Sequence, residues 1–114
     1  MAFACIGQVC HASVLINELM PRNVSYLINE EFNYSGWVEL YNNGAENFDL
    51  SQCVFSDGKH TWESETTDIL APGGYTLFYF DELNSYNHAN FKLDADGGTL
   101  TLSTKNGIEL DKIK

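Results

Sequence analysis

A chain of 114 residues, 44% hydrophobic and 13% aromatic, holds enough apolar material for one packed domain, and its charged fraction of 19% is too modest for a disordered polyelectrolyte. Its 16 acidic and 6 basic residues give a formal net charge of -10, a negative field that disfavours nucleic acid and bare membrane as partners. The plain reading of such a surface is solubility; the sharper one is a multivalent cation or a basic protein as partner.

The first twelve residues are apolar and uncharged and end in small side chains, with Cys10 and Ala12 at the two positions a signal peptidase inspects. They are too short to cross a bilayer, and no later stretch is longer, so no direct membrane insertion is expected. Residues 1–12 are therefore expected to be a signal-peptide remnant or a disordered tail, residues 13–114 the folded domain, and the location secreted, periplasmic or cell surface. Cys5, Cys10 and Cys53 form an odd set that implies no disulfide framework. Cys5, Cys10 and His11 match no zinc-finger spacing.

From residue 13 onward the hydrophobic period is two, with turn signals roughly every ten residues, which predicts an all-β sandwich. The first strand covers 13–19 and is closed by Pro21, which cannot donate to a ladder. The second covers 37–41, with Val38 and Leu40 on one face and Trp37, Glu39 and Tyr41 on the other. Asn42, Asn43 and Gly44 then read as a turn. Residues 48–55 follow, with a corner at 49–51 and Leu50, Cys53 and Phe55 as the buried side chains. After a turn at 56–59, residues 60–65 form a polar run around Trp62, which suggests an edge or half-exposed strand.

Residues 75–80 are apolar on both parities and predict a central strand covered on both faces. Short strands at 91–93, 99–102 and 108–110 complete the set, with Asn106-Gly107 a hairpin signal between the last two. Two long connections, 22–36 and 81–90, interrupt the pattern, and long loops on a rigid scaffold are where binding tends to sit. The plain alternative for the first is a short helix of Leu27, Ile28 and Phe32 capping one end of the sandwich.

An ordered series of blocks in this chain resembles a known family. Leu15-Ile16-Asn17-Glu18-Leu19-Met20, Trp37-Val38-Glu39-Leu40-Tyr41-Asn42-Asn43, and Asp49-Leu50-Ser51 with Phe55-Ser56-Asp57 are similar to the bacterial branch of the lamin tail domain. Leu70-Ala71-Pro72-Gly73-Gly74-Tyr75, Asn90-Phe91-Lys92-Leu93 and Gly98-Thr99-Leu100-Thr101-Leu102-Ser103 resemble its later blocks, in its order. The resemblance covers roughly residues 13–111 and implies an immunoglobulin-like β-sandwich of two packed antiparallel or mixed sheets. It also implies an accessory module of exported bacterial proteins, found beside secreted nucleases, spore-coat kinase-like proteins and other surface enzymes. The family offers no catalytic residues to carry over. Where it has Gly then Trp, this chain has Gln52 and Cys53, which assigns Cys53 a core role.

No enzyme is expected, nor any cofactor. The three histidines, His11, His60 and His88, accompany no nucleophile-elbow motif, and the paired glycines have no following helix to make a phosphate cradle. Glu18 and Glu39 occupy equivalent places in two well-matched blocks and would face outward together with Trp37 and Tyr41 if their strands pair. Either a basic side chain such as Arg22 or backbone amides neutralise them, or they build a calcium site with Asp57. Tyr26, Phe32, Tyr34, Trp37 and Tyr41, with Tyr86 on the second long loop, could furnish a stacking surface.

The expectation is thus a non-catalytic interaction or attachment module of an exported or cell-surface protein, its partner a protein or cell-surface polymer. The competing readings are an accessory domain of a secreted hydrolase and a calcium- or carbohydrate-dependent adhesion domain.

Overall fold

The computed structural model describes residues 14–20, 36–93 and 98–113. Among the described residues nine strands run in chain order: β1 (Val14–Met20), β2 (Gly36–Asn42), β3 (Phe48–Asp49), β4 (Cys53–Ser56), β5 (Thr61–Glu63), β6 (Ile69–Leu70), β7 (Tyr75–Phe80), β8 (Leu100–Thr104) and β9 (Glu109–Ile113). A 3-10 turn at Leu50–Gln52 separates β3 from β4, where the Asp49 carboxylate accepts the Ser51 amide. The strands form a three-stranded sheet β1-β2-β7, a four-stranded sheet β5-β4-β8-β9 and a ribbon β3-β6, and every ladder is antiparallel.

The alternation expected for β2 is present. Val38 and Leu40 are fully buried, while Trp37, Glu39 and Tyr41 are half-buried on the opposite face. Leu50, Cys53 and Phe55 are buried as the pattern of 48–55 predicts. Phe55 on β4 reaches across to Phe78 and Phe80 on β7, with ring centroids 5.1 and 5.2 Å apart, so the two sheets share one core. At the other margin the Ile16 amide of β1 donates to the Asp111 carboxylate of β9 at 2.8 Å. The Asn106-Gly107 hairpin joins β8 to β9, and Gly107 sits at φ 92°, a conformation that suits a residue without Cβ.

Several expectations need correction. β7 is an edge strand, not a central one: Phe78 and Phe80 point into the core, but Tyr75 is 57% exposed. Its outer row is Tyr75, Leu77 and Tyr79, of which Tyr75 is exposed while Tyr79 is half-buried and stacks on the buried His88. Residues 91–93 form no strand; Phe91 is buried against Phe80, and Lys92 makes a single bridge to Asp81. Residues 60–65 do supply an edge strand, β5, although its Trp62 is buried. The short β6 was not anticipated, because two residues carry no readable period. The helix expected from Leu27, Ile28 and Phe32 lies outside the described residues.

Asn42, read from the sequence as a turn residue, is the fully buried last residue of β2. Its side-chain amide donates to the carbonyls of Glu46 and Leu70, each at 2.8 Å, and its side-chain oxygen accepts the Gly44 amide at 2.9 Å. Its backbone exchanges bonds with Gly73 and Gly74. One side chain thus holds the 43–47 loop and β6 against the end of the three-stranded sheet. Asn42→Ala strands these partners without replacement and is expected to cost about 2–4 kcal/mol in urea unfolding, because buried polar groups left unpaired lose their full desolvation energy. A loss below about 1 kcal/mol would show that water replaces the amide.

Candidate functional site: the outer face of the three-stranded sheet

Register builds this face. β2 pairs β7 with Trp37 opposite Tyr79, Glu39 opposite Leu77 and Tyr41 opposite Tyr75. β1 pairs β2 with Leu15 opposite Tyr41 and Glu18 opposite Glu39, and a bulge between Ile16 and Glu18 makes Asn17 the extra residue. Opposed residues share a face, so Glu18 and Glu39 stand side by side as expected for paired strands. Aromatic rows lie on both sides of them: Tyr41 with Tyr75 at one end, Trp37 with Tyr79 at the other, about 13 Å apart along the strands.

The Tyr41 and Tyr75 rings are 4.7 Å apart and tilted by 33°. At the other end Tyr79 stacks on His88 at 5.1 Å, and the Trp37 indole N–H is buried without a hydrogen-bond partner. Asn17 donates its side-chain amide to Glu39 at 2.9 Å. None of the ion pairs among the described residues includes Glu18 or Glu39, and β1, β2 and β7 contain no lysine or arginine; Arg22, the expected basic partner, lies outside the described residues.

The loop after β7 borders this face. Glu82, Asn84 and Tyr86 all adopt positive φ, at 70°, 54° and 58°. Buried pairs hold that geometry: the Asp81 carboxylate lies 2.6 Å from His88 Nδ1 and also accepts the Leu83 amide, while Trp62 donates its indole N–H to Asn84 at 3.1 Å. His88 is thereby a buried support of the loop, although nothing in the sequence marks it as one. Tyr86 projects from the loop with 60% of its surface exposed.

The structure separates the proposed calcium ligands. Asp57 sits in the turn between β4 and β5, on the other sheet, and does not join Glu18 and Glu39. Its oxygens accept the amides of Lys59 and His60 and approach the His60 ring at 3.1 Å. Partial burial opposes its ionisation, but the bonds from His60 and Lys59 outweigh that and hold its carboxyl below the ordinary value. Among the described residues no group of three or more His, Cys, Asp or Glu is placed to hold a metal ion. Of the aromatic candidates, Trp37 and Tyr41 share the outer face, Tyr86 stands apart on its loop, and Tyr26, Phe32 and Tyr34 lie outside the described residues. Tyr75 and Tyr79 are not among the expected surface residues, because an apolar run of both parities reads as a strand covered on both faces.

Cys53 is fully buried in the core, and that burial, with a smaller effect from Asp49, pushes its thiol from an ordinary value of 9.0 up to about 12. Below pH 9.0 the thiol is protonated in folded and unfolded chains alike. Between 9.0 and about 12 the unfolded chain releases the proton while the native one keeps it, so stability falls as pH rises through that window. Wild type should lose about 1.4 kcal/mol more per pH unit there than Cys53→Ala does. Parallel alkaline stability curves for the two proteins would contradict a buried, neutral thiol.

Comparison with curated proteins returns no match. The family model described as Lamin Tail Domain matches residues 10–114, nearly the whole chain. That family is immunoglobulin-like and non-enzymatic, in keeping with the antiparallel layers described above. The chain belongs to the lamin tail domain family and is one of its immunoglobulin-like β domains.

Proposed function

We propose that this domain is a non-catalytic interaction or attachment module of an exported or cell-surface protein, and that it docks a protein or cell-surface polymer on the outer face of β1-β2-β7. The observation that carries this reading is the Tyr41–Tyr75 ring pair, with Tyr75 exposed, continued on the same face by the half-buried Trp37 and Tyr79, on paired strands where a merely solvated sheet would alternate to polar side chains. Rings of this kind present large, stiff contact area at low conformational cost, which suits an anchor surface. Membership in a non-enzymatic family supports a binding role over a catalytic one. The signal-like composition of residues 1–12 supports export.

Expressed in its own host, the protein should be recovered outside the cytoplasm, trimmed near Ser13 by mass spectrometry, and retained on the envelope or on a larger assembly. Tyr41→Ala/Tyr75→Ala should be exported and trimmed equally but released in soluble form. Retention of both proteins alike, or an intact Met1 in the cytosol, would defeat the proposal.

A further inference from the structure

We infer that this face receives an arginine-bearing basic segment of a partner protein, its guanidinium seated between the Glu18–Glu39 pair and the Tyr41–Tyr75 rings. The inference rests on the docking reading above and adds the chemistry of the partner. Glu18 and Glu39 are directly opposed across the ladder, an arrangement that is destabilising for like charges unless a cation enters. Among the described residues none stands on the sheet: β1, β2 and β7 carry no basic residue, the lysines sit in the β4–β5 turn, beside Asp81, in the β8–β9 turn and on β9, and Arg22 lies outside the described residues. Asn17 satisfies one oxygen of Glu39 with a neutral amide, which leaves the negative charge in place.

Aromatic surface beside the carboxylates narrows the cation further. Tyr75, 57% exposed and paired with Tyr41, stands next along its face from Leu77, the cross-strand partner of Glu39. A planar guanidinium stacks on such a ring while its fork of N–H donors meets carboxylates, a combination that a compact ammonium cannot reproduce and a hard metal ion does not seek. A neutral glycan would stack on the rings but leave the paired charges uncompensated. A second copy of this chain is repelled, since each carries a net charge of -10. The same net charge steers a basic segment toward the molecule and a nucleic acid away from it.

The probe is a fluorescein-labelled peptide alternating Arg and Ser, compared with Lys-Ser, Gln-Ser and Glu-Ser peptides by anisotropy against the whole chain, with amide NMR shifts to locate the contact. The Arg-Ser peptide should bind most tightly, shift β1, β2 and β7 amides, and weaken about tenfold or more in Glu18→Gln/Glu39→Gln and in Tyr75→Ala. Glu63→Gln/Glu65→Gln, which removes the same charge from the region of β5, should leave binding within about twofold. Circular dichroism confirms that each variant is folded. Equal weakening by both Gln pairs would reduce the binding to diffuse attraction and overturn the inference, as would no binding of the Arg-Ser peptide. If the inference fails while Tyr41→Ala/Tyr75→Ala still releases the protein from its assembly, the docking face stands and only its partner chemistry is wrong.

Discussion

The Phe55 ring of β4, pressed against Phe78 and Phe80 of β7, makes one core of two sheets. Neither sheet can bury its inner face alone, because three or four short strands leave a row of apolar side chains in water. Phe55 closes that gap from one side, Trp62 packs on Phe78, and Phe91 meets Phe80 edge-on, so one aromatic cluster reaches both layers. The Asp111 carboxylate accepting the Ile16 amide fastens β9 to β1 by a separate, polar contact.

That closure also determines what the molecule shows to solvent. Once Val38, Leu40, Phe78 and Phe80 are committed inward, strand geometry turns Trp37, Glu39, Tyr41, Tyr75, Leu77 and Tyr79 outward as one surface. That outer face is therefore a consequence of the core, and its spacing is as rigid as the ladder beneath it. The Asp81–His88 pair extends the same economy to the neighbouring loop, where buried polar contacts hold three non-glycine residues at positive φ.

Much of this was legible from residue order. Period two in 37–41 separated Val38 and Leu40 from Trp37, Glu39 and Tyr41, because alternation is a local property of the strand. The burial of Cys53 and Phe55 was readable for the same reason, and the Asn106-Gly107 hairpin from the ease with which glycine takes positive φ. What was not legible depends on partners distant in sequence. The position of β7 at a sheet edge follows from strand order, which its own apolar residues do not encode. Asn42 looked like a turn residue because Asn favours turns, yet the carbonyls of Glu46 and Leu70 make it worth burying. The Asn17 bulge and the exclusion of Asp57 from the Glu18–Glu39 pair likewise emerge only from register and layer assignment.

Equilibrium unfolding of Phe55→Ala, followed by amide exchange in β2 for the three-stranded sheet and in β8 for the four-stranded one, shows whether the two layers hold together through this ring. Removing the ring should cost about 3–5 kcal/mol, and both sheets should lose protection together at one lowered midpoint. Survival of either sheet's protection at the wild-type midpoint, or a loss under about 1 kcal/mol, would contradict the claim that Phe55 joins the two layers into a single cooperative unit.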